Sequence, residues 1–113
     1  MKWYKNLYFG ETIAPEARQI VNKIKKKKPL PGIFVIALAS NPQNLLDIIP
    51  VWELMQKGYP SDHIRIIGVA QGKKEALALV TSIVDEIYQK TGDVKVQEYL
   101  KHMLSEEKWR EQV

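Results

Sequence analysis

The sequence predicts an α/β domain with a three-stranded parallel sheet, built in the order βαβαβα and completed by a C-terminal helix. Short apolar runs typical of buried strands alternate with longer segments in which apolar residues recur every three or four positions, as in amphipathic helices. Each run ends abruptly in polar residues, as expected where a strand leads into a helix. Strands separated by helices imply right-handed crossovers and therefore parallel strands.

Composition indicates a single globular domain and excludes several classes of protein. Of the 113 residues, 45% are hydrophobic and 27% charged, which is ordinary for a globular chain. We expect the domain to span residues 1–104, followed by a charged tail at 105–113. No apolar run approaches the ~20 residues that span a bilayer, and the N-terminus lacks the apolar core of a signal peptide. We therefore predict a cytoplasmic, bacterial-type protein with no membrane partner.

The absence of cysteine and the placement of the lysines narrow the function classes further. Without cysteine there is no disulfide framework, thiolate metal site or cysteine nucleophile. The net charge is only +4, and four lysines cluster at residues 25–28. The helix macrodipole alone favours lysines at a helix C-terminus. The alternative, a patch for nucleic acid, lacks interleaved aromatic residues, so nucleic acid is not the expected partner.

The first βα unit begins with a rough alternation of apolar and polar residues over residues 3–9, which predicts a half-exposed edge strand. Thr12 is a suitable N-cap residue. Apolar residues then recur with helical spacing, so we expect a helix from about residue 13 to residue 27. Proline and glycine at residues 29–32 end it.

The second unit contains the most apolar run of the chain, residues 33–39, which predicts the middle strand. Asn41 is a good N-cap and Pro42 then occupies the first helical position. We expect a helix to follow, which Pro50 kinks or breaks near residues 46–49 and which ends at Gly58. The third unit comprises a strand at residues 63–70 and a helix at residues 73–90, after which Asp93 caps a last helix.

Polarity suggests strand order 1-2-3, with 2-1-3 as the alternative, in a sheet that is Rossmann-half-like. The first strand would then lie at an edge, with Trp3, Tyr4 and Tyr8 near it. A small sheet with an aromatic edge favours association of two copies, so a homodimer is a possible partner arrangement.

A ligand is expected beyond the carboxyl ends of the strands, as in open parallel sheets. The loops at these ends contain amides, hydroxyls, a carboxylate and two lysines. Lys73 and Lys74 oppose the macrodipole at a helix N-terminus, and a bound anion would relieve that conflict. The alternative is that both lysines simply face solvent. The predicted site for a small anionic ligand comprises Gly10, Glu11, Thr12, Ser40, Asn41, Asn44, Gln71, Gly72, Lys73 and Lys74.

No catalytic or metal-ligating set stands out, and no cofactor can be named. The sequence lacks both G-x-x-x-x-G-K-[ST] and G-x-G-x-x-G. Ser40 follows a predicted strand, but the G-x-S-x-G elbow is missing. His63 and His102 have no spaced carboxylate, so they do not predict a metal site. A hydrolase or transferase using Ser40 or Glu11 is the weakest hypothesis, and we do not expect an enzyme.

Four passages carry a resemblance to a known set of proteins: KWYKNLY at residues 2–8, IALASNP at 36–42, NLLDIIP at 44–50 and GYP at 58–60. In these passages the chain resembles a family of small bacterial proteins of unknown function. The resemblance covers most of the chain and implies no activity. Two functions follow from the residues themselves: a small-ligand-binding α/β domain or, alternatively, a protein interaction or dimerisation module without catalysis.

Overall fold

The computed structural model describes residues 1–39, 46–60, 63–92, 98–99 and 109–111. These residues form a five-stranded sheet with helices on both faces. The strands are β1 (Lys2–Phe9), β2 (Ile33–Leu38), β3 (Leu46–Pro50), β4 (Arg65–Gln71) and β5 (Trp109–Glu111). The helices are α1 (Ala17–Lys25), which follows a 3-10 turn at Ala14–Glu16, then α2 (Val51–Leu54) and α3 (Lys73–Thr91).

The sheet is mixed, and its strand order is β3-β2-β4-β1-β5. Strands β1 and β4 are parallel. Strand β2 is antiparallel to both of its neighbours, and β5 is antiparallel to β1. The predicted three-stranded parallel, Rossmann-half-like sheet is therefore wrong in both of its strand orders, and the reason lies in two connections of the chain.

The connection between β1 and β2 begins and ends at the same edge of the sheet. A crossover connection would instead have brought the chain back to the edge where β1 starts. Helix α1 has nine residues and so extends about 13 Å. The seven residues from 26 to 32, which include two prolines, can extend about 20 Å, enough to bring the chain back. Gly72 N–H donates to the Gly32 carbonyl at 2.7 Å, which places the start of β2 beside the end of β4. Strand β2 must then run in the opposite direction.

The second connection contains a strand where the sequence predicts a helix. Residues 46–50 pair with β2, with Ile48 opposite Ile36 and Pro50 opposite Phe34. β-Branched isoleucines favour a strand, and a proline is tolerated at the end of an edge strand. Pro50 is extended (φ −61°, ψ 138°), and α2 begins only after it. The predicted helix through Pro50 to Gly58 is therefore wrong, apart from the four residues of α2.

Other predicted elements are confirmed to within about two residues at each end. These are β2, predicted at residues 33–39, then β4, predicted at 63–70, and α3, predicted at 73–90. Helix α3 ends at Gly92, which adopts a left-handed conformation (φ 70°) and donates its N–H to the Tyr88 carbonyl at 2.7 Å. Gly is the residue that takes this conformation at least cost.

The core has two parts, one on each face of the sheet. On one face α1 and α2 cover a cluster that includes Trp3, Ile24 and Val35. On the other face α3 packs on a cluster that includes Tyr4 and Ile36. Trp3 and Tyr4 are only 2% and 4% exposed, and β5 pairs with β1 at both positions. The prediction of a half-exposed aromatic edge is therefore wrong for these two residues.

The C-terminal predictions fall only partly within the described residues. The predicted helix beginning at Asp93 falls largely outside them. Residues 109–111, which the sequence assigns to a charged tail, form β5. In the part of the chain that the structure describes, no helix combines the length and apolar character that crossing a membrane requires.

Candidate functional site

Two of the three predicted loops meet at one edge of the sheet, which we call the Gly10 edge. It is formed by the carboxyl ends of the parallel strands β1 and β4 and by the start of β2. Gly10 N–H donates to the Val69 carbonyl at 3.0 Å, which fixes the first loop beside the second. The predicted site residues found at this edge are Gly10, Glu11, Thr12, Gln71, Gly72, Lys73 and Lys74.

The strand ends that flank the third predicted loop lie at the opposite edge of the sheet. Ser40, Asn41 and Asn44 lie outside the described residues. The strand ends on either side of them, Leu38 and Leu46, pair with each other at the end of β2 opposite to the one that meets Gln71. Because β2 is antiparallel to β4, its carboxyl end lies at the other edge of the sheet.

Glu75 joins the two loops of the Gly10 edge. Thr12 N–H donates to its Oε1 at 2.7 Å, and Gln71 N–H donates to its Oε2 at 2.6 Å. Glu75 is the third residue of α3, whose N-cap is Gly72. A carboxylate at this position suits both the free N–H groups and the positive end of the helix dipole. One side chain therefore fixes the end of β1 to the start of α3.

Gly10 allows this contact because it has no side chain. A Cβ built at Gly10 would overlap the carboxyl group of Glu75. Any other residue at this position would displace Glu75 or shift the loop. The glycine is therefore required by the close approach of Glu75.

The same hydrogen bonds determine the charge of Glu75. Partial burial, the largest single influence, would by itself raise the pKa of its carboxyl group. Hydrogen bonds from Thr12 and from the Gln71 backbone together outweigh it and lower the pKa below the ordinary value of 4.5. Glu75 therefore stays ionised at neutral pH and places a fixed negative charge at the Gly10 edge.

A cavity of about 300 Å³ lies beside this carboxylate, between the end of β1 and the first turns of α3. It combines apolar walls with two carboxylates and one hydroxyl. Its lining residues are Phe9, Gly10, Glu11, Glu75, Ala78, Leu79 and Ser82. An apolar cavity with a few polar groups is typical of small-molecule sites.

A second hydrogen bond holds the same side of α3 against β1. Tyr8 O–H donates to Glu86 Oε2 at 2.5 Å, and Lys90 Nζ lies 3.8 Å from Glu86 Oε1. Burial, followed by the hydrogen bond to Glu86 and its negative charge, raises the pKa of the Tyr8 phenol. The phenol therefore remains protonated and continues to donate. Glu86 is one turn beyond Ser82, so this bond fixes the helix next to the cavity.

Sequence reasoning missed five of the lining residues: Phe9, Glu75, Ala78, Leu79 and Ser82. One signal for Glu75 was present: a Glu three residues after an N-cap residue is the carboxyl half of a capping box. The other four became recognisable only once α3 was seen to lie beside β1. Within the described residues, no group of three His, Cys, Asp or Glu side chains is placed to hold a metal ion.

Comparison with protein-family models, with curated proteins and with solved structures found no match. The family resemblance noted from the sequence therefore stays a prediction, and no relative supplies a function for this site.

Proposed function

We propose that the protein is a small-ligand-binding α/β domain whose ligand occupies the cavity at the Gly10 edge. The observation that carries the proposal is the cavity of about 300 Å³ lying beside the ionised Glu75. Its position at the carboxyl ends of the parallel pair β1 and β4 is where α/β sheets commonly bind ligands. Its volume is at the lower end of the range for small-molecule sites, so the ligand is small.

The lining favours a neutral or cationic ligand, such as a primary amine, over the small anion predicted from the sequence. The backbone N–H groups of Thr12 and Gln71 already donate to Glu75, so an anion would have to displace a carboxylate. Lys73 and Lys74 are exposed and are not among the cavity-lining residues. Glu75 also supplies the negative charge that offsets the helix dipole.

Binding is better supported than catalysis. Each carboxyl oxygen of Glu75 accepts a backbone hydrogen bond, and its lowered pKa makes it a poor proton donor. Ser82 lines the cavity, but the described residues place no histidine among the lining side chains to activate its hydroxyl. We therefore propose that the ligand is held without being transformed.

The test is a two-dimensional NMR titration of the full chain with two matched sets of small molecules, one of amines and one of phosphates and carboxylates. We expect amines to shift the backbone amide signals of Thr12 and Gln71 in a saturable manner. Ala78→Phe should abolish the shifts because the new ring fills the cavity. Thr81→Phe places the same ring on an exposed part of α3 outside the cavity and should leave them unchanged.

Two results would contradict this proposal in different ways. Saturable binding of phosphates that is lost in the Lys73→Ala, Lys74→Ala double variant would support the anionic ligand predicted from the sequence. Binding of neither set, or amine binding that Ala78→Phe leaves intact, would remove the cavity as a ligand site.

A second function, a protein interaction or dimerisation module, is favoured by a separate observation. Among the described residues, the large apolar side chains that remain exposed are Trp52 (51%), Leu77 (52%) and Tyr88 (48%). None of them lines the cavity, so the two functions are independent of each other. For either function we propose the cytoplasm, as predicted from the sequence, as the location.

A further inference from the structure

Beside β3 lies an apolar surface that the described residues only partly cover, which we call the β3 surface. It combines half-buried side chains of β2 and β3 with one flank of α3. Its members are Phe34, Leu38, Leu46, Ile48, Leu77, Val80, Val84 and Tyr88. All eight are uncharged. Leu77 and Tyr88 are about half exposed and lie three turns apart on one flank of α3.

Alternation along the strands and periodicity along α3 bring these residues together. In β2 and β3 every second residue faces α3, as Ile36 and Ile48 do. On α3, residues 77, 80, 84 and 88 follow helical spacing. The opposite flank of α3 faces β1, because Glu86 bonds to Tyr8. The flank that carries Leu77 and Tyr88 is therefore turned towards β2 and β3.

The backbone of β3 is open on its outer side. Strand β3 is the first strand in the sheet order and pairs with β2. Among the described residues, no strand pairs with its other side. The described C-terminal residues lie at the far end of the sheet: β5 pairs with β1, and Tyr99 lies close enough to Tyr4 and Tyr8 to raise the pKa of both phenols. An unpaired edge of this kind is a template for another strand.

We propose that a second copy of this chain docks on the β3 surface by antiparallel pairing of the two β3 strands about a two-fold axis perpendicular to the sheet. This inference rests on the second function proposed above and not on the cavity. The two-fold axis keeps both α3 helices on the same side of a continuous sheet. The apolar flanks of the two helices then face each other across the seam between the β3 strands.

A second copy is the occupant that this surface fits best. An antiparallel edge strand is self-complementary, because a two-fold axis pairs each residue with its own symmetry equivalent. The eight side chains lie on the α3-facing side and carry no charge, so on this face two copies meet without like-charge repulsion despite the net charge of +4. Asp47, the charged residue of β3, alternates to the opposite face of the sheet. The surface therefore offers no charged group that would select a charged partner.

The dimer should be weak. Five residues of β3 and eight partly exposed side chains make a patch well below the ~20–30 residues a side of a standard interface. Interfaces below about 1,200 Å² are typical of transient complexes. We therefore expect exchange between monomer and dimer, with the dimer prominent only at high protein concentration.

The test is sedimentation of the full chain over a concentration series, combined with amide hydrogen exchange at its two extremes. The mass should be close to 13.0 kDa at about 10 µM and should approach twice that value at about 1 mM, as mass action requires of a weak dimer. Exchange of backbone amides in β3 should slow at the higher concentration, because pairing protects them.

Two substitutions on α3 separate this surface from others. Leu77→Lys places charge on the β3 surface and should reduce association at least tenfold. Gln89→Lys makes the same charge change at an exposed position of α3 outside the surface and should leave association unchanged. Leu77 is half exposed, so the substitution should not unfold the chain, and circular dichroism would verify this.

The inference is overturned by a chain that remains monomeric at about 1 mM. It is overturned equally by a dimer that tolerates Leu77→Lys or that leaves the β3 amides unprotected. A monomer whose β3 amides become protected only by a different protein would keep the interaction function while excluding the second copy. None of these results bears on the cavity ligand, which is tested on the other flank of α3.

Discussion

The two flanks of helix α3 differ in the chemistry of their side chains and in what they contact. The flank facing β1 carries Glu75 and Glu86, both of which accept hydrogen bonds from the β1 side at 2.5–2.7 Å. The flank facing β3 carries Leu77 and Tyr88, which are about half exposed. Between them runs the buried stripe that attaches α3 to the sheet: Ala76, Leu79, Ile83 and Ile87.

The difference shows how one helix can serve two purposes. Hydrogen bonds to charged groups fix geometry, because they lose strength when distance or angle changes. On the β1-facing flank, directional hydrogen bonds therefore attach α3 to β1 and to the loop after it, on either side of the cavity. Apolar contact is non-directional, so the β3-facing flank can accept a partner without a fixed pattern of donors and acceptors. We expect substitutions on the first flank to alter stability and substitutions on the second to alter association.

The largest effect on the hydrogen-bonded flank should come from Gly10→Ala. The added Cβ overlaps the Glu75 carboxyl group, so the hydrogen bonds from Thr12 and Gln71 are lost or distorted. Hydrogen bonds to charged groups contribute about 1.5–3 kcal/mol each. Because this edge is partly exposed and water can replace the donors, we expect a loss of about 2 kcal/mol in the free energy of unfolding, measured by urea denaturation.

A double-mutant cycle gives the control. In a Glu75→Ala background the overlap disappears, and Gly10→Ala should then cost less than about 0.5 kcal/mol. Equal costs in the two backgrounds would show that Gly10 matters for its backbone conformation and not for the approach of Glu75.

Elements whose residues carry a strong local pattern were predictable from the sequence. The run of apolar residues in β2, the apolar stripe of α3 and the glycine at its C-terminus each indicate their structure without knowledge of the rest of the chain. Gly92 is an example, because only the helix end itself requires its left-handed conformation. The same patterns correctly place Gly10 and Gly72 next to strand ends.

The direction of each strand and its pairing partners were not predictable, because both depend on contacts between residues that are distant in sequence. A helix between two strands suggests a crossover, but the length of the proline-containing segment at 26–32 decides whether the chain returns to its starting edge. Residues 46–50 satisfy a helical and a strand pattern equally, and pairing with β2 decides between them. These two errors also affect part of the predicted ligand site. Ser40 was expected beside Gly10, but the strand before it ends at the opposite edge.

Acid dependence offers a second way to test the hydrogen-bonded flank. The pKa of Glu75 is lower in the folded chain than its ordinary value of 4.5. As the pH falls, the unfolded chain therefore binds a proton at Glu75 before the folded chain does. The resulting stability is present above pH 4.5 and is lost as the pH falls through the folded pKa. Glu75→Gln, which cannot ionise, should lower stability by about 1.5 kcal/mol at pH 7.

The measurement is the urea midpoint of both proteins from pH 7 to pH 3. The difference between the urea midpoints of the unmodified chain and Glu75→Gln should decrease as the pH falls below 4.5. A difference that stays constant over this range would mean that the Glu75 charge contributes nothing to stability.

A smaller effect is expected from Tyr8→Phe, which removes the donor to Glu86 and leaves the ring in place. The Glu86 side chain is 42% exposed, so water can replace the lost donor, and we expect a cost of about 1 kcal/mol, below the range given above for hydrogen bonds to charged groups. The matched control is Tyr88→Phe on the other flank, where the ring is 48% exposed and loss of the hydroxyl should change stability by less than about 0.5 kcal/mol. Equal losses of stability in the two variants, measured by thermal or urea unfolding, would contradict the proposed difference between the two flanks.

The smallest change in stability should come from Leu77→Ser, although Leu77 belongs to the second flank and to the proposed interface. Leu77 is 52% exposed, so its truncation removes only about half the buried area of a core leucine, and we expect a change below about 1 kcal/mol in dilute solution. At about 1 mM, where the proposed dimer forms, the same substitution should lower the melting temperature more, since it removes the stabilisation that association adds. Melting curves at the two concentrations check this, and a concentration-independent effect would assign Leu77 to the monomer alone.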